Sequence, residues 1–129
     1  MILLDTHVLI WSMAEPKKLS RAAVAAVRRA QDEGGLAISA ITLWELAFLV
    51  VRGRIQAYGT VDASVRLLVE GVVVQAITPE IAALATQFPD EYPRDPADRL
   101  IGATARAAGL SLVTHDAHIR RSPLLRTIW

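Results

Sequence analysis

Asp5, Glu45, Asp98 and Asp116 are the residues of this chain whose types and settings point to chemistry. Asp5 follows the apolar run Ile2-Leu3-Leu4 directly, and Asp116 follows Leu112-Val113-Thr114 after one residue. Two apolar strands thus discharge into an acid. The competing reading makes Asp5 the N-cap of a helix beginning at Thr6-His7, and Asp116 a turn residue. Glu45 lies at helical spacing from Ile41, Phe48 and Leu49, all apolar. A carboxylate on such a face is costly unless it is paired or holds a cation. Its alternative is a capping box over Thr42-Leu43-Trp44-Glu45, with Ser39 competing for the cap. Asp95 precedes Pro96 and reads as an N-cap with Pro in the first helical position. Asp98 then sits where the helix dipole favours an acid. It also shares a face with Ile101, Gly102 and Ala105, whereas Arg99 and Arg106 mark the wet side.

Four acids drawn from four segments into one crevice would repel and raise one another's pKa. A hard divalent cation removes that repulsion. Oxygen ligands without Cys, and without His at zinc-ligand spacing, suit Mg²⁺ or Mn²⁺ rather than Zn²⁺. Such an ion acidifies bound water and stabilises charge at a phosphoryl centre. His7, His115 and His118 read as exposed or packed side chains, and Trp11, Trp44 and Trp129 as core or interface residues. Gly34-Gly35 is a helix stop, and no phosphate-binding, dinucleotide or nucleophilic-serine motif occurs.

The elements that must position these acids are short. Apolar strands are expected over Ile2–Leu4, Leu36–Ser39, Val72–Ile77 and Leu110–Val113, with a last one over Leu125–Ile128. Between them lie helical patterns. Ser20–Glu33 opens on a Ser cap, Ile41–Arg52 ends at Gly53, and Asp62–Glu70 ends at Gly71. Pro79–Phe88 follows Thr78, and Pro96–Ala108 ends at Gly109. Strands without polar relief, alternating with helices, describe a parallel sheet covered on both faces. In such sheets ligands sit outside the carboxyl ends of the strands.

With 129 residues, one domain over 1–129 is expected, large enough to bury a core without staples. There is no cysteine, which excludes disulfides, thiolate nucleophiles and cysteine zinc sites. No run approaches the ~18 apolar residues of a membrane span, and the N-terminus lacks a basic leader. A cytoplasmic protein is therefore expected. The formal charge is +1, so any basic surface must be local. A hydrophobic fraction of 53% is more than a core of this size needs. It predicts an exposed apolar patch, with Ile41–Arg52 and Ser20–Glu33 as candidate contributors.

The segments LLDTHVLIW, SAITLWELAF, RDPADRLIGATA and LVTHDAHI, in this order, resemble PIN-domain ribonucleases of the VapC toxin type. The resemblance runs from about Ile2 to Trp129. It implies an α/β fold, a three-layer α/β/α sandwich with a mostly parallel central sheet. It implies an endoribonuclease whose Mg²⁺ or Mn²⁺ site matches Asp5, Glu45, Asp98 and Asp116. Thr6 and Thr114 resemble the hydroxyl residues that adjoin those acids, and Asp95 is an auxiliary candidate. It further implies a small antitoxin protein and homodimerisation. Arg94, Arg99, Arg120 and Arg121 neighbour the acids and are the candidate RNA contacts. Two other readings compete. One is a phosphohydrolase of small esters, which would want an acid where His7 stands. The other is a PIN-like module without activity, which would not need a full acid set.

Overall fold

The computed structural model describes residues 1–129. Five strands form one wholly parallel sheet in the order β3-β2-β1-β4-β5. They are β1 (Ile2–Leu4), β2 (Leu36–Ser39), β3 (Val73–Gln75), β4 (Leu112–Val113) and β5 (Thr127–Ile128). Seven helices surround them: α1 (Thr6–Ala14), α2 (Arg21–Glu33), α3 (Ala40–Val51), α4 (Val61–Leu68), α5 (Pro79–Ala85), α6 (Pro96–Ala108) and α7 (Ala117–Arg120). A 3-10 turn spans Pro16–Lys18. None of the helices is long and apolar enough to cross a membrane.

The period-2 geometry of the central strands divides the interior into two cores. Leu3, Ala37 and Leu112 point to one face, where Ile81, Ala85, Phe88, Tyr92 and Ile101 meet them from α5, α6 and the segment between. Leu4, Ile38 and Val113 point to the other, against Val8, Leu9, Val27 and Leu46 of α1, α2 and α3. This is the expected three-layer sandwich. Strands buried on both faces explain why β1 and β2 carry no polar side chain before their ends.

Local signals set the helix bounds. Ser20 Oγ accepts from Ala23 N at 3.1 Å and opens α2, which buries Ala23, Val27 and Ala30 at helical spacing. Gly109, at φ 66°, closes α6 in the left-handed conformation that suits glycine. Gly102 has a different purpose. A Cβ there would lie 2.2 Å from the Tyr92 hydroxyl oxygen, so its bareness lets α6 settle onto Phe88 and Tyr92.

Several bounds differ from expectation. The third helix begins one residue earlier and ends one earlier than the pattern over Ile41–Arg52, because Ser39 is its cap. Helix α4 covers Val61–Leu68 rather than Asp62–Glu70, capped by Thr60. Helix α5 stops at Ala85 rather than Phe88. Thr86 Oγ1 donates to Ala83 O at 2.7 Å, and Phe88 reaches the core from the following turn. The strand expected over Val72–Ile77 pairs only at Val73–Gln75, on the sheet edge. The strands expected over Leu110–Val113 and Leu125–Ile128 shrink to two residues each.

Candidate active site

The sheet ends its strands β1 and β4 beneath one crevice of about 290 Å³. Its lining comprises Asp5, Glu45, Asp95, Asp98 and Asp116 together with His7, Val8, Trp11 and His115. All four acids singled out from the sequence, and the auxiliary Asp95, therefore reach the same space. Asp5 arrives directly from β1 and Asp116 from the loop after β4. Glu45 comes from the second turn of α3, and Asp95 and Asp98 from the start of α6.

Asp5 is held at both oxygens. Thr6 N donates to Oδ1 at 2.8 Å, and the buried Thr114 hydroxyl donates to Oδ2 at 2.8 Å. Asp5 is thus a helix cap and a lining acid at once, so the two readings of it were never exclusive. Glu45 is no capping-box residue, because Ser39 caps α3 through Ile41 N. Instead the Thr6 hydroxyl donates to Glu45 Oε1 at 2.5 Å, and that hydroxyl also lies 3.0 Å from the Thr42 hydroxyl. Thr6 and Thr42 are fully buried, so the threonine pair fixes Glu45 from below.

The other acids are held differently. Asp95 Oδ1 accepts from Ala97 N at 2.8 Å and Asp98 N at 3.3 Å. Asp116 Oδ1 accepts from His118 N at 2.8 Å and Ile119 N at 3.1 Å, capping α7. Asp98 has its main chain anchored, since the buried Tyr92 hydroxyl donates to its carbonyl at 3.1 Å. Burial, and then the neighbouring Asp98 charge, push the Tyr92 phenol well up, so it remains a donor.

The electrostatics follow from this crowding. Burial raises Asp5, partly offset by the hydrogen bonds from Thr114 and Thr6. Glu45 is raised by burial and by Asp5 and Asp95, against the Thr6 hydrogen bond. Asp98 is pushed up to about 7, first by burial and then by Asp5, Asp95, Asp116 and Glu45. Like charges at close range thus disfavour full ionisation of the set. The donor chemistry is oxygen-only among the acids, which fits a hard divalent cation. As the side chains stand, no three of His, Asp and Glu are grouped to hold an ion by themselves.

The arginines divide. Arg94, Arg120 and Arg121 are exposed. Arg99 requires a correction. Its guanidinium donates to the carbonyls of Pro93 at 2.9 Å, Phe88 at 3.0 Å, Pro89 at 3.3 Å and Tyr92 at 3.4 Å. It is half-buried and staples the Phe88–Pro93 turn onto α6, so it is committed to the fold rather than free for phosphate. Thr42, offered by the sequence only as the cap of a capping box, is instead the buried partner of the Thr6 hydroxyl. Its one signal for that role was a hydroxyl one helical turn before Glu45.

Residues 2–123 match the PIN domain family. The chain is 45% identical to Ribonuclease VapC22 of Mycobacterium tuberculosis, covering 99% of this chain and 98% of that protein. This chain belongs to the PIN-domain family, in its VapC branch. Solved structures of the family share its fold. VapBC2 from Rickettsia felis, bound to a DNA fragment from its promoter, superposes with a TM-score of 0.74 at 18% identity, covering 98% of this chain and 97% of that one. DNA-bound VapBC from Salmonella typhimurium gives 0.71 at 24% identity, with coverages of 98% and 97%. VapBC-1 from nontypeable Haemophilus influenzae also gives 0.71 at 24%, with 98% and 96%. The four segments quoted from the sequence are where this PIN-domain chain places its crevice.

Proposed function

We propose that this chain is the toxin of a toxin–antitoxin pair, an endoribonuclease that hydrolyses RNA at the five-acid crevice with Mg²⁺ or Mn²⁺. Ribonuclease activity follows from its place in the VapC family. One observation carries the rest. Carboxylates from four segments line one crevice, close enough that Asp5, Asp95, Asp116 and Glu45 all push the Asp98 carboxyl up. Such a grouping is unfavourable without a cation and useful with one.

Asp5, Glu45, Asp98 and Asp116 would hold the ion, one or two of them at a time, with water completing the shell in the manner of Mg²⁺. A divalent cation there supplies Lewis acidity toward water and a phosphodiester. The chain's own contribution is orientation. Thr6 N and the Thr114 hydroxyl fix both oxygens of Asp5, and the Thr6 hydroxyl aims Glu45. Asp116 caps α7 through Oδ1 alone, which leaves Oδ2 for the crevice. The burial and repulsion that push Asp98 up to about 7 without an ion are what a bound cation would offset. Arg94, Arg120 and Arg121 remain the candidate phosphate contacts outside the acids.

The antitoxin and a second copy of the chain are the proposed protein partners. The excess apolar content predicted from the composition lies on the outside. Trp44, Phe48 and Val51 of α3, Val61 and Leu67 of α4, and Val73 and Val74 of β3 are exposed. Helix α2, the other expected contributor, exposes no large apolar side chain. A toxin–antitoxin complex from Klebsiella pneumoniae shares this fold, which supports an antitoxin here.

The test is RNA cleavage by the purified chain. EDTA should abolish it, Mg²⁺ or Mn²⁺ should restore it, and Ca²⁺ should support poor turnover because its geometry is looser. Full activity after exhaustive chelation would rule out the metal mechanism. Hydrolysis of small phosphate esters without cleavage of RNA would favour the phosphohydrolase reading.

A further inference from the structure

The acids occupy only part of the crevice lining. His7, Trp11 and His115 form another part. Trp129, from the C-terminal end, completes a cluster of four rings. Centroids are 6.0 Å apart for His7–Trp11, 5.8 Å for Trp11–His115, 6.2 Å for Trp11–Trp129 and 5.1 Å for His115–Trp129. Trp11 and Trp129 pack against the core on the α1–α2–α3 face, as their types led one to expect. That core role accounts for their undersides. It does not account for His7 and His115, which are exposed beside the carboxylates. The Lys18 ammonium, 5.5 Å from the Trp11 ring centroid, adds a positive charge at the same edge.

A crevice lined by five acids repels a polyanion, so substrate affinity has to come partly from neutral contacts. A nucleobase is the neutral part of an RNA and presents a flat π-face. Other aromatic pairs are less well placed. The crevice next to Arg121 and His118 includes Tyr92, but that ring is 2% exposed and stacked on Phe88 at 4.0 Å. Trp44 and Phe48 stack on each other at 5.3 Å and are exposed, but neither lines the acidic crevice nor, unlike Trp129, packs against a ring that does.

We propose that His7, Trp11, His115 and Trp129 form a base-holding rim that seats one nucleobase of single-stranded RNA beside the phosphodiester presented to the acids. The inference rests on the ribonuclease reading and adds the side chains that would seat a base there. Stacking on these rings needs a base splayed out of a helix, so the substrate is unpaired at the cut. The rim positions substrate and takes no part in bond cleavage.

Two readouts test it. In the first, the full chain with Ca²⁺ is titrated with a random-sequence single-stranded RNA 12-mer, following indole fluorescence and the anisotropy of a labelled RNA. Wild type and Trp44→Phe should quench. The Trp11→Phe/Trp129→Phe double variant should lose the quench yet keep its affinity, because phenylalanine still stacks. His115→Ala should weaken binding roughly 5- to 100-fold, the range for losing one stacked base. A 12-base-pair RNA duplex should quench little. In the second, cleavage with Mg²⁺ should show His7→Ala and His115→Ala raising KM far more than they lower kcat, the mark of lost uniform binding. Quenching that follows Trp44, or unchanged affinity in His115→Ala, overturns the rim. If RNA is cleaved but these variants behave as wild type, the rim fails and the ribonuclease reading stands. If RNA binds and quenches through Trp11 and Trp129 but is never cut, the ribonuclease reading fails and the rim stands.

Discussion

The two halves of the crevice are built on opposite plans. On the β1–α3 side, Asp5 and Glu45 are clamped by Thr6, Thr42 and Thr114, three buried hydroxyls. On the α6–α7 side, Asp95 and Asp116 each use one oxygen to cap a helix, while Asp98 is pushed up to about 7 by burial and by four neighbouring acids. The clamped half sets geometry, and the other half concentrates the repulsion. A site that had evolved only for stability would have spread these charges apart or paired them with basic side chains.

The sharpest way to break the comparison is to remove charge from each half. Asp5→Asn, Glu45→Gln and Asp98→Asn should each cut RNA cleavage by more than about 100-fold, comparable with losing a catalytic electrostatic partner. All three should stay folded, with melting temperatures equal to or above wild type, because repulsion is relieved. A folded variant that keeps its activity removes that residue from the site.

A smaller effect is expected from the clamp alone. Thr114→Val keeps the shape but deletes the hydroxyl that donates to Asp5, a hydrogen bond to a charged group worth ~1.5–3 kcal/mol. Cleavage should fall by roughly 10- to 100-fold. Unchanged kinetics in this variant would mean that Asp5 needs no orienting hydroxyl.

Asp95 and Asp98 separate capping from charge within one half. Asp95→Ala should cost ~0.5–2 kcal/mol of stability, and Asp95→Ser should recover most of it, with activity following folding. Asp98→Ser should abolish cleavage with little loss of stability. Paired melting curves and rates decide the matter. A stable but inactive Asp95→Ser beside an active Asp98→Ser would transfer the third acid to Asp95.

The crowding of the acids also predicts a pH dependence. Asp98 has a folded pKa of about 7 against an ordinary 3.8, so the folded state binds its proton more tightly than the unfolded chain. Between those values the unfolded state holds fewer protons, so the stability of the cation-free protein should fall as pH rises from about 4 to about 7. Denaturant melts in EDTA across that range check it. Asp98→Asn and added Mg²⁺ should each flatten the slope, and an equally steep slope in Asp98→Asn would place the repulsion elsewhere.

Much of this was legible in the sequence because it is written in local signals. The strands β1 and β2 and the helices α2 and α6 end where Leu4, Ser39, Gly34 and Gly109 say they should. The acids were legible because charge inside an apolar pattern needs a reason, as at Glu45. What stayed hidden depends on contacts between distant residues. Arg99 looked free because its position on α6 suggested the wet side, yet the Phe88–Pro93 turn folds back to meet it. Thr42 supports Glu45 only because α1 brings Thr6 between them. The four-ring cluster joins α1 to residues more than a hundred positions away, which no periodicity reports.

The central claim is that these carboxylates are assembled to bind a divalent cation, and Mn²⁺ binding tests it most directly. The free aqueous ion gives a sharp paramagnetic resonance signal that fades when it binds. Titrating Mn²⁺ into wild type near pH 8 should quench that signal, and Asp5→Asn, Glu45→Gln and Asp98→Asn should each weaken the quench. Lowering the pH to 5 should weaken the quench, because protons compete with the ion for the raised carboxyls of Asp98, Glu45 and Asp5. Binding that is unchanged in all three variants, or absent from the folded wild-type protein at millimolar Mn²⁺, would contradict the account.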